Sequence, residues 1–315
     1  MKRFFYKWIE KYLFDPNPLQ RVIGVCFFPL TVLYCIYTTS KRISQKPVYF
    51  GIPVISIGNL VVGGSGKTPI TIELAKSYKN PAVVLRGYGR ESKGLYVVSK
   101  KGKILEDIKI SGDEAMMLSL ALPQATVIVS EDRVKGIQKA KELACEVVFL
   151  DDGYNKHNIA KYDILIRPKV EPKNIFCLPS GGYRDTPMMY SFVDLVLKDG
   201  VDFIREVKYK YNNRFIETLP SNLVLITAIS KPDRLLEYLP QDVVVESFED
   251  HYNFKKIDIE SILNKYPQYS FITTQKDFVK LDKFNIPNLY LMDLTIDLKT
   301  DCKIDDYINF CTNFS

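Results

Sequence analysis

No two of the six cysteines form a C-x-x-C pair, and none stands in tight spacing with either of the two histidines. That excludes a disulfide framework and a structural zinc site as the basis of the fold, and fits a reducing, cytosolic environment. There is no internal repeat and no low-complexity tract, and tryptophan occurs once, at Trp8. The net charge of +6 is small for 315 residues and gives no ground for a nucleic-acid partner; none is expected. A hydrophobic content of 46% supplies a core for one large or two ordinary domains.

What the first residues hold is unlike the rest. Lys2, Arg3, Lys7 and Lys11 interleave with Phe4, Phe5, Tyr6, Trp8, Tyr12 and Phe14, a mixture suited to a membrane surface, where rings settle at headgroup depth and cations meet anionic lipid. The uncharged run from Val22 to Tyr37 follows. As a helix it spans only about 24 Å, short for a bilayer crossing, and Pro29 is expected to interrupt it. It lacks a small-residue cleavage site, so it does not read as a cleaved signal. A core helix, a monotopic membrane contact and a true span all remain open from these residues.

Beyond Lys46 short apolar runs alternate with helical stretches: "PVISIGN", then Thr68 to Tyr78, "AVVLRG", Asp113 to Leu122, "ATVIVS", Asp132 to Leu143 and "CEVVFLDD". Such alternation predicts an α/β fold with a parallel sheet covered by helices. A second series comprises "DLVL", "SNLVLITAI", a helix from Lys231 to Leu239, "DVVVESF", a helix near Ile257 to Tyr266, and "YSFITTQKD". Between the two lie a Pro- and Gly-rich stretch and the alternating "VKYKYNNRF", which reads as an exposed hairpin. The expected division is an N-terminal helical segment 1–46, a first domain 47–200, a hinge ribbon 201–216 and a second domain 217–315.

"GNLVVGGSGKTPI" runs from Gly58 to Ile70. A strand, a glycine turn, Lys-Thr and then a helix form a P-loop, in which backbone N–H groups cup phosphates. Gly63, Gly64, Ser65, Gly66, Lys67 and Thr68 are the nucleotide-binding candidates, with Lys67 for the β- and γ-oxygens of ATP and Thr68 for Mg2+. The strict pattern is broken at one place, where Val61 stands instead of the first glycine. Asp151 and Asp152 end an apolar strand, where open α/β sheets put their chemistry, and are candidates for the metal or a substrate hydroxyl.

Other polar groups admit two readings each. Asp113 and Glu114 open a helix, as caps or as reactive carboxylates. Arg133 sits in the first turn of a helix, unfavourable for a cation unless it meets a phosphate or pairs with Glu131 or Asp132. Arg86 and Arg90 flank two glycines, as an arm for an anionic ligand or as a solvated loop. His251 is either structural or able to reach the first domain.

In order, "GNLVVGGSGKTP", "LRGYGR", "SGDEAMML", "DDGYNKHN", "LPSGGYRDTP", "TAISKPDRL", "FEDHYNF" and "TTQKDFVKL" give a sequence that resembles, nearly end to end, the tetraacyldisaccharide 4'-kinase family, the lipid A 4'-kinases of Gram-negative bacteria. The resemblance implies transfer of the γ-phosphate of ATP to the 4'-hydroxyl of a tetraacylated glucosamine disaccharide 1-phosphate, forming lipid IVA. It implies two α/β/α domains joined by a hinge with a small β-ribbon, the first P-loop-like, with the site in the cleft between them. A monotopic N-terminal helix on the cytoplasmic face of the inner membrane also follows, and a monomer is expected. By position, Asp113 matches the catalytic aspartate, His251 its partner and Arg133 a catalytic arginine; Arg86, Arg90 and Glu114 are substrate candidates. Asp185, a metal candidate by position, stands where the family more often has Glu, and "DDGYNKHN" departs from Asp-Asp-Gly-Phe-Gln-His. Rival readings are a membrane-attached GTPase switch, from the guanine-like "TQKD" at Thr274 to Asp277, and a partitioning ATPase, which needs a second P-loop lysine where Val62 stands.

Overall fold

The computed structural model of the chain describes residues 2–63, 66–229 and 232–313. Two helices, α1 (Lys2–Phe14) and α2 (Pro18–Ser44), precede strand β1 (Val54–Asn59) and helix α3 (Lys67–Ala75). Next come β2 (Pro81–Leu85), β3 (Tyr96–Lys100), β4 (Lys103–Ile104), α4 (Ile108–Ser111), α5 (Asp113–Ala121), β5 (Thr126–Val129) and α6 (Arg133–Glu142). Strands β6 (Val147–Asp151), β7 (Tyr162–Arg167) and β8 (Leu195–Lys198) follow, then β9 (Phe203–Tyr211), β10 (Arg214–Ile216), β11 (Leu223–Thr227) and β12 (Val244–Ser247). The chain closes with α7 (Lys256–Lys265), β13 (Ser270–Thr274), α8 (Gln275–Leu281), β14 (Leu289–Leu298) and α9 (Ile304–Asn313).

The residues fall into two compact units. The first holds residues 1–71, 133–204 and 298–315. Its strands run in the order β6-β1-β7-β8, all parallel. Val54, Ile55, Ile57 and residues 147–150 of the neighbouring strand are fully buried, the continuous apolar pattern of a sheet covered on both faces. Ile57 pairs with Asp151, so the C-terminal ends of β1 and β6 lie side by side.

Helix α2 is where the sequence expectation needs correction. It runs unbroken through Pro29 for 27 residues. The proline removes one N–H, yet the ladder on either side holds the helix. An Asn17 and Gln20 capping box starts it. It is no core helix: Gln20, Gly24 and Thr31 are buried, whereas Leu19, Val22, Val25, Leu33 and Ile36 are exposed.

The second unit holds residues 72–132 and 205–297. Here β2 and β5 are parallel, while β3 pairs antiparallel with β5 and with β4. A six-stranded sheet has the order β10-β9-β14-β13-β11-β12. The polar alternating segment does form a hairpin, turned at Asn212 and Asn213 with φ of 49° and 61°, the paired left-handed residues of a tight turn. It forms the margin of this sheet. The helix expected over residues 231–239 is a 3-10 helix over Pro232–Tyr238, and Lys231 lies outside the described residues. The core of the sheet packs Val224, Ile226 and Phe271 against Phe254, Ile259 and Ile262.

Candidate active site

In the first unit, β1 ends in Asn59 and the chain enters the glycine turn. Gly63 and Gly66 take φ of 100° and 80°, values a Cβ disfavours, as expected of a phosphate loop. Gly64 and Ser65, also expected to bind nucleotide, lie outside the described residues. Lys67 opens α3, and its ammonium donates to Asn59 Oδ1 at 3.0 Å, 3.7 Å from Asp152 Oδ1. Thr68 Oγ1 donates to Asp151 Oδ2 at 2.8 Å. The Lys67–Asp152 and Thr68–Asp151 contacts join the P-loop to the Asp-Asp pair through the parallel register of β1 and β6. Buried Arg133 points inward from α6, its Nη2 donating to the Asp151 carbonyl at 3.4 Å. Asp152 is held in the left-handed region at φ 58°, and its half-exposed carboxylate is 3.5 Å from Arg184 Nη1.

Asp185 takes a different partner. It ion-pairs with Arg42 of α2 and accepts from the Thr186 N–H at 2.8 Å. Tyr154, the departure in the Asp-Asp-Gly stretch, packs so closely that a Cβ on Gly58 would meet its Cβ at 2.5 Å. Burial pushes its phenol up to about 12, so it stays protonated. His157 meets the Tyr154 ring edge-on; burial, then the charges of Lys161 and Arg42, lower it to about 4, leaving it neutral.

In the second unit Asp113 is the first residue of α5. Gly112 before it takes φ 82° and ψ 160°, a conformation open almost only to glycine. Gly112→Ala should therefore destabilise the chain by about 1–3 kcal/mol, read as a lower urea midpoint at unchanged slope. Asp113 is buried, and His251 Nδ1 lies 3.0 Å from its Oδ2 and 3.2 Å from its Oδ1. His251 is itself at φ 61°, its N–H bonded to the Ala228 carbonyl; this strained backbone aims the ring, which Tyr88 covers at 5.3 Å. Lys276 Nζ is 3.2 Å from the far nitrogen Nε2, and Lys280 Nζ is 3.5 Å from Asp113 Oδ2.

Burial pushes the Asp113 carboxyl up, but the His251 hydrogen bond and the charges of Lys276, His251 and Lys280 outweigh it and hold it below its ordinary 3.8. The bond to Asp113 raises His251 above its ordinary 6.5, against its own burial. The two shifts are reciprocal, each group favouring the charged form of the other.

The remaining expected residues divide. Arg86 is exposed. Arg90 is no loose arm: its guanidinium donates to Glu131 at 2.6 Å, to the Gly94 carbonyl at 2.5 Å and to Ser92 at 3.1 Å. Glu131 is thereby the partner of Arg90. Glu114 lies 3.8 Å from Lys276. Asp277 of "TQKD" is fully buried and accepts from Thr227 Oγ1 at 2.8 Å and the Ala228 N–H at 3.0 Å. A carboxylate so engaged is not available to read a guanine edge.

The model of tetraacyldisaccharide-1-P 4'-kinase matches residues 23–309. The chain belongs to that family. A tetraacyldisaccharide 4'-kinase of Aliarcobacter butzleri (strain RM4018) is 53% identical over 310 residues, 98% of this chain and 96% of the relative. That of Helicobacter acinonychis (strain Sheeba) is 42% identical over 304 residues, covering 96% and 95%. Among solved structures, LpxK from Aquifex aeolicus in complex with ATP is similar with a TM-score of 0.74 and 25% identity, covering 92% of this chain and 99% of that one.

For a 4'-kinase, sequence reasoning missed Asn59, Arg42, Lys276 and Lys280. The lysines carried one signal, since i and i+4 on a helix share a face. Their stretch, "TTQKDFVKL", carries the family resemblance and the guanine-like "TQKD", but neither reading assigns the lysines a role. Arg42 gave no local sign, because its partner Asp185 is remote in sequence.

Proposed function

We propose that the chain transfers the γ-phosphate of ATP to the 4'-hydroxyl of a tetraacylated glucosamine disaccharide 1-phosphate, giving lipid IVA on the way to lipid A. The observation that carries this is the Thr68 and Asp151 contact at the mouth of the glycine turn, in a chain matched to the kinase family from residue 23 to 309. Backbone N–H groups of the turn and Lys67 bind the β- and γ-phosphates. The Thr68 hydroxyl and Asp151 carboxylate are hard oxygen donors suited to Mg2+, with Asp152 beside them. Bound there, the ion neutralises charge on the phosphate oxygens. The sugar hydroxyl gives its proton to Asp113, oriented by His251, as its oxygen bonds to the γ-phosphorus and the bond to the ADP oxygen breaks. Because the transition state is loose, a weakly basic carboxylate is enough. Arg133 steadies the Asp151 main chain and serves the charge of the transferring group. Asp185, committed to Arg42, orders the margin of the cradle, and Arg86 is the exposed cation for substrate phosphate.

The exposed apolar face of α2 favours a monotopic seat on the cytoplasmic face of the inner membrane, where the acyl chains of the acceptor remain in lipid. The chain acts as a monomer in this reading. The test is transfer of labelled γ-phosphate to a tetraacyl disaccharide acceptor in mixed micelles. Thr68→Val and Asp151→Asn should each raise the Mg2+ concentration for half-maximal turnover by roughly tenfold or more; tight GDP binding without acceptor-dependent transfer would refute the kinase reading in favour of a switch.

A further inference from the structure

The loop between β7 and β8 carries Val170, Ile175 and Phe176, which are 81%, 65% and 43% exposed. Nothing in phosphate or proton chemistry calls for apolar side chains there. The loop is not adrift, however. Ser180 is fully buried against α2: its Oγ donates to the Gly24 carbonyl at 2.8 Å, and its N–H donates to Thr31 Oγ1 at 3.1 Å. Tyr12 of α1 donates to the Pro179 carbonyl at 3.0 Å, and the Lys173 N–H donates to the Phe14 carbonyl at 2.9 Å. Gly24 and Thr31 belong to the buried side of α2, so the loop is strapped to the helix where the helix faces the protein. Phe176 then reaches round to meet exposed Phe28 edge to face, ring centroids 5.2 Å apart.

From this we infer that Ile175 and Phe176 form a second membrane-inserting element, fixed in depth relative to α2, and that the occupant of this surface is a bilayer containing anionic phospholipid. The inference rests on the reading of α2 as a membrane contact and extends it by one element. Continuity with the exposed face of α2 through Phe28 argues for lipid, as does charge: Lys11 and Arg21 are exposed on the helices and Lys173, paired with Asp15 at 3.2 Å, is exposed in the loop, and Lys11 and Arg21 can meet phosphate headgroups. Two elements strapped together set orientation as well as attachment, since one helix can roll in the interface and two non-collinear contacts cannot. The same loop continues to Tyr183, buried against Val61, and to Arg184, whose N–H donates to the Leu60 carbonyl at 2.6 Å. Membrane contact and phosphate loop are thereby joined by a short hydrogen-bonded run of chain, which holds the cradle at the lipid boundary.

The experiment uses the full chain with Trp8→Phe, so that a single tryptophan reports. Phe176→Trp and, separately, Phe28→Trp are mixed with vesicles of phosphatidylethanolamine and phosphatidylglycerol bearing brominated acyl chains. Both reporters are expected to be quenched, and Ile175→Ser with Phe176→Ser in the native chain should lower vesicle partitioning by about tenfold or more, with turnover of detergent-dispersed acceptor kept. Quenching at position 28 alone overturns the inference and leaves the α2 reading intact. Quenching at neither position overturns both. Burial of the position 176 reporter that follows protein concentration in the absence of vesicles assigns the patch to a second copy of the chain and also overturns it.

Discussion

Asp113→Asn should lower kcat by roughly 10²–10⁴-fold while leaving the affinity for ATP close to that of the parent chain. The amide keeps the size of the carboxylate and one acceptor oxygen for His251 Nδ1, so the fold and the phosphate cradle are preserved. What is lost is the site that takes the proton from the sugar hydroxyl. His251→Gln should be milder, since it removes the group that orients the carboxylate and leaves the carboxylate itself. A pre-steady-state measurement of labelled phosphate transfer, with ATP affinity determined separately, distinguishes the two. A loss expressed in ATP affinity with kcat unchanged would remove Asp113 from the chemistry.

The same pair fixes a pH dependence. His251 is raised above its ordinary 6.5, so its stabilising contribution is fully present below 6.5 and is lost as pH rises through the raised value. Asp113 is held below its ordinary 3.8, so its contribution is present above 3.8 and is lost as pH falls through the lowered value. The difference in thermal midpoint between the parent and Asp113→Asn should thus be fullest between these ordinary values, and shrink on the alkaline side as the imidazolium loses its proton.

How much of this was legible in the sequence depends on how local the physics is. The glycine turn announced itself because positive φ, a buried strand before and a helix after are all short-range requirements, and Asp151 because an apolar run ended in carboxylates. The Asn212 and Asn213 turn was legible for the same reason. Strand β7 was not read, because Asp163 and Lys161, which pair at 2.6 Å, disguise its apolar residues. Arg90 reads as an arm or a solvated loop because only the fold brings Glu131 to it, and Pro29 as an interruption because a local rule about hydrogen bonding says nothing about the length of helix around it. The lysines beside Asp113 depended on the fold bringing α8 to α5, a contact that no spacing within the chain records.

Lys280 is where that hidden contact has its largest consequence for stability. Its side chain is 4% exposed, and its ammonium lies 2.9 Å from Asp277 Oδ1 and 3.5 Å from Asp113 Oδ2. Lys280→Met removes a buried cation that serves two buried carboxylates, and should destabilise the chain by about 3–5 kcal/mol, the magnitude for breaking a buried pair from one side. Asp277→Asn in the same chain should recover part of that loss, because the amide oxygen can still accept from Thr227 and the Ala228 N–H while the uncompensated charge is gone. The coupling between the two changes, measured by urea unfolding of both single variants and the double, should be well beyond the additivity of independent sites. Strict additivity would mean that Lys280 acts by packing alone. A second consequence separates charge from packing. With the cation gone, one of the influences holding Asp113 ionised is lost, and the acid limb of the activity profile should move to higher pH in Lys280→Met but stay in place in Lys280→Arg, which keeps the charge.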